Sequence, residues 1–499
     1  MPIRGGILYI FRRFFTLLCC AEQNVYDIIP SQSRIQEEYG MLRHIGIAGQ
    51  VRSLYGWREE QQRGRMIILL DALLTAVFNV FITGIFYTGF LTMYEIDLVS
   101  VGIITFIPPL ASTFHMFSPM ILERIRRRKP ILIAAKIYFY FMYIIATNLM
   151  PLIVTDPHQR VIWFCIILFL AYAIYSLFSD GFTPWFYNFY PSEPRQRASF
   201  ISYNQIFSSA TSSAVLLLTG LLVTMVGSRQ NTFILVFRYF AFILVLVDVL
   251  FQAYAKEYPY PIRAKRINLR EVFTLSRQHK KFMACLYLMF IWNYISNLNN
   301  GLWNYYLLNT VHFPYSTIST ASALYPLILF ATSPMWRRIL ARESWIRTFA
   351  IGVLIWVPTE IYFFFLSPVT KWMYYPGALV QHFLSVGLNL SYANVFYMNL
   401  PKENASTHTS FQALFCNLCA FLGLMTGTLL CNWVGDWTWQ FGAVTITAVQ
   451  YTTILRAVFM LPLGLYLMKY WRNFTPDSEI EAVELQHKKR TRNRTFVNN

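Results

Sequence analysis

Charged residues make up only 13% of this 499-residue chain, and acidic ones are the rarer kind, 24 Asp and Glu against 42 Lys and Arg. A soluble protein is about a quarter charged. With 56% hydrophobic residues and a mean hydropathy of +0.41, no water-soluble fold could hide the apolar surface, so the bilayer must be the solvent for most of it. Cysteine is sparse too. Of seven residues, Cys19 and Cys20 are adjacent and most others lie in apolar runs, which fits buried thiols rather than a disulfide framework or a metal site. No G-x-x-x-x-G-K-[ST] run occurs, so this chain alone is not an ATP-driven pump. No nucleophile, metal cluster or paired acid and base stands out, so an enzyme is not expected, and neither is a cofactor. The formal charge of +18 would suit nucleic acid, but its placement between apolar runs reads as positive-inside loops, and no nucleic-acid partner is expected.

What the chain does have is twelve apolar segments of spanning length, near 66–93, 98–122, 130–154, 161–185, 200–227, 231–254, 281–308, 315–338, 345–367, 372–398, 408–433 and 443–469. The expected class is an all-α integral membrane protein of twelve transmembrane helices. Residues 66–254 form one group of six spans and 281–470 the other. Between them lies a basic central loop, 255–280, in which Asn268 and Glu271 mark the start of a short helix. Residues 1–65 precede the spans, and within them the run 1–21, interrupted by Arg4, Arg12 and Arg13, reads as an interfacial helix or as disorder. A basic tail covers 471–499.

Alternate loops differ sharply in charge. One set holds Arg124–Lys129, Arg195 and Arg197, the central loop, Arg337–Arg347, Lys402 and the tail His487–Arg494. The other holds Glu95 and Asp97, Asp156 and Arg160, Arg229, Lys371 and Asp436. The basic set, both termini included, is therefore expected in the cytoplasm, and an even number of spans agrees with that.

Two stretches repeat. Phe117-Ser118-Pro119-Met120 and Thr332-Ser333-Pro334-Met335 each close an apolar segment and run into arginines. Phe186-Tyr187 before Pro191 is matched by Phe396-Tyr397 before Pro401, and Ser199-Phe200 by Ser410-Phe411. Matched spacings inside apolar sequence point to two related halves, a common construction of secondary transporters.

The loop after the second span resembles the signature of the major facilitator superfamily, G-x-x-x-D-R-x-G-R-R. Its register here holds Pro119, Glu123, Arg124, Ile125, Arg126, Arg127 and Arg128, so the acid, the next Arg and the closing basic pair are kept and both glycines are replaced. With the topology and the repeats, the resemblance covers about 65–470. It implies two pseudo-symmetric six-helix bundles, with spans 1, 4, 7 and 10 lining a cavity and spans 3, 6, 9 and 12 outside them. The Gly-Pro signature carried on the fifth span by drug antiporters of that family is not evident in 200–227.

Function is therefore read as secondary active transport of a small solute by rocker-switch alternating access, coupled to protons. A transporter-like sensor without flux and a multidrug exporter are the alternatives. A monomer in a bacterial inner membrane is expected, with the lipid bilayer, the small-molecule substrate and protons as its partners.

The cavity candidates follow. Span 7 carries five asparagines within Asn293–Asn304, which cannot face lipid. Asn293, Asn297, Asn300 and Asn304 recur at helical spacing, Trp292 adjoins them, and Gly301 permits local unwinding. The bland reading is that these amides only join helices. Span 1 offers Asn79, Thr83 and Tyr87, span 4 Tyr172 and Tyr175, and span 10 Gln381, His382, Ser385 and Asn389. Such residues suit a sugar, a nucleoside or another polar neutral solute. Asp71 and Asp180 are the coupling candidates, each weighed against simple structural pairing. Glu123 among Arg124, Arg127 and Arg128 is the candidate gate latch, weighed against lipid anchoring of the same loop. Arg238 and Arg456, at comparable depths in spans 6 and 12, read as structural charges, with Glu360 and Asp248 as partners on offer. His115 reads as a helix-to-helix hydrogen bonder, and Lys136 as near enough to the edge to snorkel.

Overall fold

The computed structural model of the chain describes residues 53–260, 273–274, 276–401, 405–477 and 480–481. The interfacial run 1–21, the helix start at Asn268 and most of the basic tail, 478–479 and 482–499, lie outside them. Six helices form the N-terminal half: α1 (Glu60–Thr92), α2 (Leu98–Leu122), α3 (Lys129–Ile153), α4 (Pro157–Tyr187), α5 (Pro194–Met225) and α6 (Gly227–Tyr254). The C-terminal half has α7 (Lys280–Asn297), resumed at Leu302–Thr310, then α8 (Tyr315–Leu340), α9 (Trp345–Phe364), α10 (Tyr374–Met398), α11 (His408–Val434) and α12 (Ala448–Asn473). Among the described residues, ten helical stretches are long and apolar enough to cross a membrane. The two remaining helices are α7, which is broken, and α10, which carries Gln381, His382, Ser385, Asn389, Ser391 and Asn394. The protein is an integral, multi-pass membrane protein.

Local chemistry sets the helix ends. Asp97 accepts from the Val99 N–H, Asp156 from Gln159 and Ser344 from Arg347, and Thr447 with Gln450 forms a capping box. The last of these moves the start of α12 back from the expected residue 443. Residues 439–446 instead make a hairpin, β1 (Trp439–Phe441) paired antiparallel with β2 (Val444–Ile446).

Both leading helices break. In α7 the break falls at Leu298–Gly301, with Gly301 at φ +80°, as its glycine beside two asparagines predicts. The matching break in α1, with Thr83 extended and Gly84 at φ +59°, was not foreseen, because Thr83-Gly84 sits in an otherwise apolar run.

The apolar core is divided unevenly. At the basic end two clusters keep to their own halves, one around Ile67, Leu132, Trp185 and Phe200, the other around Phe282, Phe349, Phe396 and Met460. At the opposite end a single cluster joins both halves, packing Phe86, Phe90, Ile104 and Val223 with Leu302, Tyr306, Tyr315 and Phe363. Four glycines permit that seam. A Cβ on Gly89 would meet Tyr315 Oη at 2.1 Å, on Gly102 Thr428 Oγ1 at 2.3 Å, on Gly220 Ser319 Cβ at 2.4 Å and on Gly301 Thr105 at 2.8 Å. Small residues let helices approach where lipid gives no hydrophobic drive. The apolar core is thus shared by the two halves at one end and divided between them at the other.

Candidate functional site

The C-terminal half holds a polar, partly open chamber of about 200 Å³ among α7, α9, α10 and α12. Its charged groups are Glu360 on α9 and Arg456 on α12. Arg456 Nη1 lies 2.9 Å from Glu360 Oε1 and donates to Asn299 Oδ1 at 3.2 Å, while Arg456 Nε has no partner among the described residues. Trp356, one turn before Glu360, donates its indole N–H to the same carboxylate at 2.7 Å. Asn300, Asn304 and Gln381 complete the polar wall, with Ser296 and Thr453, and Trp303 and Phe363 supply ring surface. The break in α7 produces this wall: an unwound turn presents Asn299 and Asn300 where a continuous helix would have carried them round its axis.

The N-terminal half holds its charges differently. Lys136 on α3 lies between two carboxylates, 2.9 Å from Asp71 Oδ1 on α1 and 2.5 Å from Asp248 Oδ2 on α6. Gln252 donates to Asp71 at 2.6 Å. The lysine side chain is 7% exposed, so it does not snorkel; the paired acids hold the ammonium inside the bundle. Asp248 is thereby removed as a partner for either arginine. Arg238 is instead fully buried, donating to Asn148 Oδ1, Thr147 Oγ1 and the Tyr143 carbonyl on α3, with its guanidinium 3.8 Å from the Phe90 ring centre. The two repeat-related arginines do share helix partners, α6 with α3 and α12 with α9.

Around the α2–α3 loop an acid in direct contact is Glu257, which the sequence reading passed over. Its carboxylate accepts the backbone N–H groups of Arg128 and, at 2.8 Å, Lys129, so it caps the start of α3. The Arg128 guanidinium covers the Tyr260 ring at 4.1 Å and feels both Glu123 and Glu257. Tyr258 donates to Glu60 at 2.5 Å, and that carboxylate pushes the phenol up to about 12. The first residues of the central loop are thereby pinned to the N-terminal half.

No protein-family model and no curated protein matches the sequence. Solved structures do. A bacterial homologue of the iron transporter ferroportin, in an inward-facing state, aligns with TM-score 0.61 at 14% identity, over 82% of this chain and 98% of its own. The nucleoside transporter NupG aligns with TM-score 0.57 at 13% identity, over 82% and 98%. A D-xylose-proton symporter aligns with TM-score 0.58 at 12% identity, over 84% and 99%. The chain has the major facilitator fold.

Within the facilitator fold the expected cavity residues separate into groups. Asn300, Asn304 and Gln381 come together in the chamber. The four-asparagine stripe is not continuous, because the break in α7 divides it. Asn293 donates to Tyr392 Oη at 2.6 Å and Asn297 to the Asn293 carbonyl, while Trp292 packs edge-on against Phe349. His382 and Asn389 turn toward α8, at the Ala321 carbonyl and Tyr325 Oη, and Ser385 bonds back to Gln381 O. Tyr172 and Tyr175 pack on Phe139, and Tyr87 stacks on Tyr143 beside Arg238. Thr83 Oγ1 is bonded to the Asn79 carbonyl at the α1 break. Asp180, half-exposed, faces His115 across 3.2 Å. Arg124 and Arg127 lie in the α2–α3 loop.

Several chamber residues escaped the sequence reading. Of these Trp356 carried a usable signal, since it stands one helical turn from a lone acid in an apolar span. Cys416 and Cys419 have the C-x-x-C spacing on α11, but among the described residues no group of three His, Cys, Asp or Glu is placed to hold a metal ion.

Proposed function

We propose that this protein is a secondary transporter that moves a small polar solute by alternating access between its two halves, coupled to protons. The carrying observation is the uneven seam: one apolar cluster joins the halves at the end of sparsely charged loops, and separate clusters hold them at the basic end. Halves whose apolar core is shared at one end and divided at the other can rock about a site between the ends. The positive-inside rule assigns the basic end and both termini to the cytoplasm of a cell membrane, so this is a cytoplasm-facing state of a monomeric carrier. The named solutes of the structural neighbours differ among themselves, so they select none for this chain.

Asp71 is the proton-coupling group, and Asp248 is its partner. Two carboxylates sharing one lysine cannot both stay ionised at low cost, and a proton held between them could leave when the halves rearrange. Asp180 with His115 is the second site. Glu123, Arg124, Arg127 and Arg128 with Glu257 form the gate loop.

Purified protein in liposomes tests the reading, with labelled D-xylose and uridine as first solutes. Counterflow that rises to an overshoot under an imposed proton gradient supports it. Exchange that ignores the gradient removes the coupling. Folded protein that exchanges no solute would favour a sensor without flux.

A further inference from the structure

The two repeat-related arginines have different surroundings, and the difference is informative. Arg238 is enclosed by its own half, and its contacts account for a strut between α6 and α3. Arg456 has the same relation to α9, yet it and Glu360 open onto the chamber. A strut does not require a cavity beside it. The chamber is also walled by four amides, and Trp356 is held in place through its bond to Glu360.

The geometry points to a binding subsite in the C-terminal half for a small, uncharged, hydroxyl-rich ring solute, recognised by Asn299, Asn300, Asn304 and Gln381, with Trp303 and Trp356 against the ring and the Glu360–Arg456 pair as a polar floor. The assignment rests on the transport reading and names the substrate class of that reading. Three observations choose the class. The two charges of the lining are paired with each other, so a net-charged solute would find no free counter-charge there. Amides carry donors and acceptors side by side, as hydroxyl groups do, so each can satisfy the other in either sense. The volume, about 200 Å³, is below the roughly 300–1,000 Å³ that drug-sized ligands occupy, which turns the site away from multidrug export.

The test is binding to the full-length protein in detergent, read by thermal shift and by calorimetry. The probes are D-xylose, D-glucose, myo-inositol and uridine, against L-glutamate, L-arginine and tetraphenylphosphonium. At least one neutral probe is expected to raise Tm and to bind in the millimolar range or tighter. Gln381→Ala and Asn300→Ala should each weaken that probe at least tenfold; the Asn300 amide also bonds Asn297 Oδ1 at 3.3 Å across the break, so Gln381→Ala is the variant expected to leave the ligand-free Tm unchanged. A charged probe that binds tighter than every neutral one overturns the class, and so does an absence of any neutral binding. A neutral probe whose affinity ignores both substitutions overturns the location. Counterflow of the same probe separates the two readings. Binding without exchange leaves the subsite standing and sinks transport, whereas exchange untouched by both substitutions sinks the subsite alone.

Discussion

Arg456 and Glu360, 2.9 Å apart on α12 and α9, form an ion pair in which the acid is 1% exposed and the guanidinium also holds Asn299 at the break in α7. One contact thereby ties α9 and α12 to the most irregular helix of the C-terminal half.

Removing one member of that pair leaves a buried charge alone. Glu360→Gln is expected to cost roughly 3–5 kcal/mol. The exchange Glu360→Arg with Arg456→Glu should recover part of it, because opposite charges are restored at the same two positions. Thermal unfolding in a fixed detergent reads both, and a Glu360→Gln protein as stable as the parent would show that the pair contributes little.

Asp71→Asn should abolish uphill, proton-driven accumulation and preserve solute exchange, because the remaining acid, Asp248, can keep Lys136 compensated. Lys136→Met should be far more damaging, leaving two carboxylates 2.9 Å and 2.5 Å from a charge that is gone. Accumulation against exchange in proteoliposomes distinguishes the two substitutions. Wild-type accumulation in Asp71→Asn would take that residue out of the coupling.

The seam between α5 and α8 should be sensitive to bulk at Gly220, where a Cβ would sit 2.4 Å from Ser319 Cβ and 3.2 Å from the Tyr315 carbonyl. Gly220→Val is expected to favour the state open at that end. Ser319 is 0% exposed, so Ser319→Cys should label slowly with a membrane-impermeant maleimide and at least severalfold faster when Gly220→Val is added. Equal labelling rates, measured above the background of the native cysteines, would argue that the seam does not open there.

Glu257→Ala removes the acceptor of the Arg128 and Lys129 N–H groups. Loss of such a cap costs about 0.5–2 kcal/mol locally. Amide hydrogen exchange at these two positions should accelerate, and transport should slow with ligand affinity kept within a few-fold, since a latch acts on the conformational equilibrium. Glu123→Gln is expected to have the smaller effect on these amides; the reverse order would restore Glu123 as the latch.

The spans were legible because hydropathy is a local quantity. Leu98–Leu122 appears where an apolar run ends at an acid and four arginines, and the structure places α2 there. The break in α7 was legible in Asn299-Asn300-Gly301, where amides that lipid cannot accept adjoin a residue free to turn left-handed. The break in α1 left no such mark, for Thr83-Gly84 is flanked by Ile82 and Ile85 and reads as an ordinary apolar span.

By itself the sequence determined that this chain lives in a bilayer, how many times its apolar runs can cross, and which of its loops carry the positive charge, because each of these depends on how residues partition between water and lipid one segment at a time. The pairings were decided only in three dimensions. Lys136 lies 112 positions from Asp248, and Arg456 lies 157 from Asn299. In a low-dielectric interior a charge takes whichever partner packing brings within about 3 Å, and no property of either residue alone says which helix that will be.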